Sequence, residues 1–341
     1  MPLSTTAEPP RADPPLIVSI GDPAGVGPET IVQAWEQRHA IGLPPFAVAG
    51  DAAALRAVWA GPVATISDLD DAARHYRHAL PVLDVGSMGD SRPGRPTADG
   101  ARLAFAALEA GVDLTVGGGA SALVTGPVNK AALAAIGYRW PGQTEFVAER
   151  AGVSPEDAVM MLAGPSVRTV PVTIHVPLRE VPARLTTALI VQRGRVTAEA
   201  LRRDLGLRDP RLAVTGLNPH AGERGRLGDE EETVVRPAVE QLRAMGIDAT
   251  GPLPADSLFA PHIRGRYDAM VCMYHDQALI PIKALDFDSG VNMTLGLPIV
   301  RTSPDHGTAF DIAGRGEARP DAMIAAIRMA ALCAAHRRRP S

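Results

Sequence analysis

The chain has 341 residues, 46% of them hydrophobic and 21% charged, with a formal net charge of −4 at neutral pH. That length is enough for about two domains with proper cores. No apolar run approaches the roughly 18 residues that span a bilayer, and the negative balance offers nucleic acid no long-range attraction.

The first fifteen residues carry Pro2, Pro9, Pro10, Pro14 and Pro15 among Glu8, Arg11 and Asp13. They lack the apolar stretch of a signal peptide, so they predict a disordered tail over residues 1–14 of a cytoplasmic protein. A strand is expected at Leu16–Ile20, running into the turn Gly21–Glu29 and then a helix from about Glu29 to His39. Further strands are predicted at Phe46–Ala49, Pro81–Val85, Ala122–Thr125, Thr169–Ile174, Arg211–Thr215 and Ala269–Met273. Ala-rich helices are predicted at Thr97–Ala110 and Ala322–Ala335. The alternation defines the α/β class. Most of these strands end at loops rich in Gly, Pro, His or Asp, and in open α/β sheets ligands collect beyond the carboxyl ends of strands. The acidic run Asp229–Glu232 reads as a helix start and Arg337–Arg339 as a helix end, each complementing the dipole. Cys272 and Cys333, in apolar surroundings, read as reduced, buried thiols.

Rarity marks candidate positions. Among 34 basic residues only Lys130 and Lys283 are lysines, and the asparagines are Asn129, Asn218 and Asn292. Exposed faces tolerate exchange of Lys for Arg, whereas an ammonium and a guanidinium fork are not interchangeable at a ligand. Lys283, Asn292 and Arg301 recur at intervals of nine and would together hold phosphate or carboxylate oxygens by charge-assisted hydrogen bonds. His175, His220 and His275 each follow an apolar strand-like run. Three imidazoles can hold a divalent ion and leave a position open for substrate, but with spacings this long the residues alone favour three separately hydrogen-bonded histidines. Gly21–Glu29 lacks the GxGxxG spacing of a Rossmann fingerprint. The loop His306–Gly314 has small residues that admit a ligand to the backbone and a carboxylate, Asp311, suited to ribose hydroxyls. Asp256, Asp276 and Lys130 are acid–base candidates.

These segments carry a resemblance. Gly21–Glu29, Thr125–Lys130, Gly142–Glu145, Thr173–Leu178, Leu217–Gly222, Met273–Gln277 and Gly290–Gly296 through Asp305–Ala309 occur in one order. Over about residues 16–335 the chain resembles the 4-hydroxythreonine-4-phosphate dehydrogenase family of vitamin B6 biosynthesis, itself similar to the isocitrate and isopropylmalate dehydrogenases. The resemblance implies a two-domain α/β/α subunit with a central cleft. One domain would comprise residues 15–137 and 291–341 on the nucleotide side, and the other residues 138–290 on the metal, substrate and dimer side. It implies a homodimer with shared active sites and a divalent ion (Zn, Mg, Mn or Co) on His175, His220 and His275. Substrate would meet Gln143, Thr144, Lys283, Asn292 and Arg301, and NAD would meet His306, Gly307, Thr308, Asp311 and Ile312.

The implied reaction is NAD-dependent oxidation of 4-phosphooxy-L-threonine to 2-amino-3-oxo-4-phosphooxybutanoate, which decarboxylates to 3-amino-2-oxopropyl phosphate. Gln143 stands where many members have His, which keeps open oxidation of a related phosphorylated hydroxy acid such as phospho-threonate or phospho-erythronate. A zinc-dependent phosphosugar aldolase would also use three histidines and a phosphate pocket, but it needs no nucleotide loop.

Overall fold

The computed structural model describes residues 14–338, so the predicted tail at 1–14 lies almost entirely outside the described residues, as does Arg339. One twelve-stranded sheet runs through the molecule in the order β3-β4-β2-β1-β5-β12-β11-β6-β7-β10-β8-β9. In chain order the strands are β1 Leu16–Ser19, β2 Phe46–Gly50, β3 Val63–Ile66, β4 Leu80–Asp84, β5 Leu123–Thr125 and β6 Val159–Ala163. They continue with β7 Arg168–Pro171, β8 Arg211–Thr215, β9 Asp248–Leu253, β10 Ala269–Cys272, β11 Val291–Leu295 and β12 Arg301–Pro304. Among the described residues no helix is long and apolar enough to cross a membrane.

The seven predicted strands and the α/β class are borne out. β1, β2 and β5 are buried at every residue, as expected where a parallel sheet is covered on both faces. Helices Ala98–Val116 and Thr187–Leu205 begin at Thr97 and Thr186, whose side chains accept from the amides of Gly100 and Leu189. That bond satisfies a donor the first turn leaves open. The second helix ends where Gly206 turns left-handed at φ 68°. Five strands escaped the sequence reading: β3, β6, β9, β11 and β12. In the last two, Asn292, Thr294, Arg301 and Ser303 interrupt the apolar pattern that marks a strand. Those polar residues occupy the centre of the sheet.

Direction changes at this centre. β5 and β12 are parallel, β11 runs antiparallel to both β12 and β6, and β6 is antiparallel to β7. The register sets Asn292 beside Ser303 and Met160 beside Thr294. Side chains two residues apart share a face of a strand, so Arg301 and Ser303 of β12 point the same way, as do Asn292 and Thr294 of β11.

Three loops are fastened by close backbone approach. A Cβ on Gly21, whose φ is 75°, would lie 2.4 Å from the carbonyl oxygen of Pro127, and one on Gly25 would lie 2.8 Å from that of Thr308. Val26 N donates to Thr308 O, and Gly314 N donates to the buried carboxylate of Glu29. The loop after β1 thus fixes both the loop after β5 and the loop after β12. Gly21→Ala should cost roughly 2–4 kcal/mol, from a disfavoured φ and a steric clash together. Urea unfolding would measure it, and a midpoint shift of less than about 0.5 kcal/mol would contradict this packing.

The acidic run has a second role beyond the one the sequence suggested. Glu231 is 1% exposed and accepts from the backbone N–H of Asn218 at 2.6 Å and from its Nδ2 at 3.0 Å. It ties down the loop that carries His220 in addition to lying near a helix start. Cys272 and Cys333 are buried and free, as expected, and burial pushes both thiols up, Cys333 to about 12.

Candidate active site

A cavity of about 770 Å³ lies over β12, β11 and β6, bounded by the helix His275–Leu285, the loop after β5 and the segment 141–145. It brings together Lys130, Gln143, Thr144, His175, His275, Lys283, Asn292, Arg301, His306 and Gly307 from the sequence-derived candidates. The carboxyl ends of β5, β7, β10 and β12 contribute, as anticipated. Asn292, second in β11, and Arg301, first in β12, come instead from the starts of strands where the sheet reverses.

Arg301 is 5% exposed. It donates to Thr294 Oγ1 at 3.0 Å and to Thr125 Oγ1 at 2.7 Å, while its Nε is buried without a partner. Burial lowers its pKa to about 10, with Tyr138 and Glu145 acting the other way. A buried guanidinium held only by hydroxyls is costly in isolation and is suited to an anionic ligand. Lys283 projects from the helix toward Asp305, 2.5 Å from its carboxylate and 2.8 Å from its carbonyl oxygen. Gln143 Nε2 donates to Gly126 O, and its Oε1 is buried with no partner.

In the same cavity the rings of His175 and His275 lie 5.6 Å apart between centroids, tilted by 42°. His275 Nδ1 is 2.6 Å from Asp276 Oδ1. That contact fixes the ring's orientation and leaves Nε2 for another ligand, as carboxylates do behind metal-bound imidazoles. Burial, then Lys130 and His275, hold the His175 imidazole below its ordinary pKa, with Glu145 opposing. His175 has φ 51°, a strained conformation for a non-glycine residue.

Several candidates are not gathered in this cavity. His220 is exposed, in a left-handed run from His220 to Arg224 beyond β8, with φ between 45° and 74°. Among the described residues of one chain, no three His, Cys, Asp or Glu side chains are grouped to hold a metal. The expected three histidines are thus not brought together within one chain: His175 and His275 adjoin, and His220 lies apart from them. Asp256 is exposed in the short helix Ala255–Leu258 and does not line its own chain's cavity. Asp276 contacts His275 and borders a smaller recess that both histidines also line. Of the five rare residues, Lys130, Lys283 and Asn292 line the cavity. Asn129 is instead a helix cap for Ala132 N, and Asn218 anchors its loop on Glu230 and Glu231.

The nucleotide candidates divide similarly. His306 and Gly307 line the main cavity, and Ile312 lines an adjoining recess of about 180 Å³ that shares Asp305 and His306 with it. Thr308 spends its carbonyl on Val26, and Asp311 is exposed. Val26, Ala309 and Phe287, the last 63% exposed, give that recess an apolar lining.

Three charged groups of the cavity were missed by sequence: Glu145, Arg193 and Asp305. Glu145 stood inside a quoted block and Asp305 beside His306, so proximity to other candidates was their signal. Arg193 had none, because its helix was not foreseen and arginine is the common cation of this chain.

A buried cation, further cations and a histidine pair, set in one cleft of an α/β sheet, define an enzyme site for a small anionic metabolite. The chain belongs to the PdxA family of pyridoxal phosphate biosynthetic proteins, whose sequence profile matches residues 43–330. It is 57% identical over 328 residues to the 4-hydroxythreonine-4-phosphate dehydrogenase of Erythrobacter litoralis, covering 95% of this chain and 97% of the relative. To that of Zymomonas mobilis it is 54% identical over 323 residues, covering 95% and 96%. The crystal structure of 4-hydroxythreonine-4-phosphate dehydrogenase from Klebsiella pneumoniae superposes with a TM-score of 0.84 at 37% identity, covering 96% of this chain and 99% of that one.

Proposed function

We propose that the protein is a 4-hydroxythreonine-4-phosphate dehydrogenase, oxidising the 3-hydroxyl of the phosphorylated amino acid with NAD in the cytoplasm. The observation that carries this reading is the pairing, in one cavity, of a buried guanidinium without a carboxylate partner and two adjoining histidines. Arg301, Lys283 and Asn292 bind the phosphate, and Gln143 and Thr144 orient the rest of the substrate. Lys130 is the only one of the three acid–base candidates that lines its own chain's cavity, and we assign it proton transfer at the hydroxyl. Asp276 keeps His275 oriented. When bound, a divalent ion supplies Lewis acidity toward the hydroxyl and the β-keto acid formed from it, and NAD accepts the hydride.

His175 and His275 fit two positions of a three-histidine metal site, and the third donor in this reading is His220 of a second subunit. The strained loop of His220 and the exposed Leu178 (67%), which lines a recess with the histidine pair, support a homodimer that shares its sites.

The test is NADH absorbance with 4-hydroxythreonine 4-phosphate, phospho-threonate and phospho-erythronate under added Zn²⁺, Mg²⁺, Mn²⁺ or Co²⁺. Failure of the amino acid with turnover of either hydroxy acid would reassign the substrate. Asp311 should repel a 2′-phosphate, so kcat/KM should favour NAD over NADP by at least tenfold, and Asp311→Ala should narrow that ratio. Equal use of both cofactors by the unaltered enzyme would remove Asp311 from the nucleotide site.

A further inference from the structure

The loop after β8 runs against the ordinary hand of an L-polypeptide. From His220 to Arg224 five successive residues are left-handed, with φ of 53°, 52°, 74°, 45° and 58°, and of these only Gly222 adopts that region without steric cost. Such a run persists only where surrounding contacts over-determine it. Here they converge on one carboxylate. Glu231 opens a π-helical turn, Glu231–Val235, a form frequent at functional sites. Its side chain is buried, which is costly for a carboxylate unless its lone pairs are met. Its hydrogen-bond partners among the described residues are both N–H groups of Asn218: the backbone amide on Oε1 at 2.6 Å and Nδ2 on Oε2 at 3.0 Å. A Cβ on Gly222 would lie 2.5 Å from Oε2 and one on Gly216 3.0 Å from Oε1, so the loop is wrapped closely around the carboxylate.

His220 stands exposed two residues after this anchor. We propose that Glu231 is a positioning residue for the metal: it holds the loop in its left-handed form and so presents His220 to the His175–His275 pair of a second subunit. This rests on the functional reading above and deepens it. Imidazole–metal bond lengths vary by only about 0.2 Å, so a donor on a loop must be fixed before the ion arrives. Charge-assisted bonds to a buried carboxylate are strong enough to fix it. A tie with no bearing on the metal would lower the melting temperature of the metal-free protein and leave metal affinity unaltered.

The experiment is Zn²⁺ titration calorimetry on the chelator-stripped, full-length protein, with thermal unfolding and elemental analysis on the same preparations. Glu231→Gln turns one acceptor oxygen into a donor facing the N–H groups of Asn218 and should weaken Zn²⁺ binding by about ten- to a hundredfold. Asn218→Ala, which removes the side-chain tie and leaves the backbone one, should give a smaller loss in the same direction and serves if Glu231→Gln does not fold. Verified heterodimers, dialysed against enough chelator to empty the Glu231→Gln homodimer, report which chain supplies the loop. Paired with His175→Ala chains, whose His220 loop is intact, Glu231→Gln chains should keep one ion per dimer; paired with His220→Ala chains they should keep none. Parental Zn²⁺ affinity in both Glu231→Gln and Asn218→Ala, with metal lost from His220→Ala, overturns the role of Glu231. An empty His175→Ala heterodimer, or full metal in the His220→Ala homodimer, overturns the shared-site reading beneath it.

Discussion

Arg301→Met should lower kcat/KM for 4-hydroxythreonine 4-phosphate by roughly two to three orders of magnitude while leaving stability equal or slightly higher. The first effect follows from removing a buried cation from a dianion, worth on the order of 3–4 kcal/mol. The second follows from the state of the guanidinium in the free protein. It is buried, held by two threonine hydroxyls, carries one unpartnered nitrogen, and its pKa is lowered to about 10 by burial. An unbranched apolar side chain of similar length avoids that desolvation, and replacing buried charge with well-packed apolar groups is often neutral or stabilising. Kinetics and thermal unfolding on one preparation check both. A variant that unfolds more than about 5 °C below the parent would show that Arg301 supports the sheet centre, and near-parental turnover would remove it from the phosphate site.

Metal content should fall close to zero in each of His175→Ala, His275→Ala and His220→Ala. For His175 and His275 the cause is direct, since their rings lie 5.6 Å apart between centroids and each loss leaves too few donors to retain an ion. For His220 the expectation depends on a second subunit, because its own chain leaves it exposed and away from the pair. Elemental analysis after dialysis against a weak chelator measures this, and full metal in His220→Ala would confine the site to two histidines and other donors. Mixing His220→Ala with Lys283→Ala chains extends the test. Shared sites let a heterodimer assemble one intact centre, so activity should partly return. Verified heterodimers without activity would argue that each cavity is built from one chain. Asp276→Asn, which alters only the group behind His275, should weaken metal binding by about tenfold, within the range for groups that orient metal ligands.

The class of the fold was legible because its main signal is local. Runs such as Leu16–Ser19 and Ala269–Cys272 are apolar throughout, end abruptly, and alternate with helical stretches bounded by Thr caps and glycine. The centre of the sheet was not legible, for the same physical reason that makes it functional. β11 and β12 carry Asn292, Thr294, Arg301 and Ser303 on faces that line or support the cavity, and polar side chains erase the pattern that identifies a strand. Scarcity of lysine pointed to Lys130 and Lys283, both in the cavity, but scarcity of asparagine could not separate Asn292 from Asn129 and Asn218, which serve as a cap and a loop anchor.

By itself the sequence determined the α/β class, the order of its motif blocks and the chemical types available to a site: imidazoles, rare cations and amides. Residue chemistry and short-range periodicity are properties of neighbours in the chain. The tertiary structure alone decided which of those groups meet. It joined Arg301 to Thr125 across 176 residues, set His175 beside His275 but not His220, tied Lys283 to Asp305, and left Glu145 unpaired in the same cavity. Such meetings depend on where the strands reverse between β12, β11 and β6 and on how three loops interlock around Gly21 and Gly25. These contacts are set by packing across the sheet, and no window of local sequence contains them.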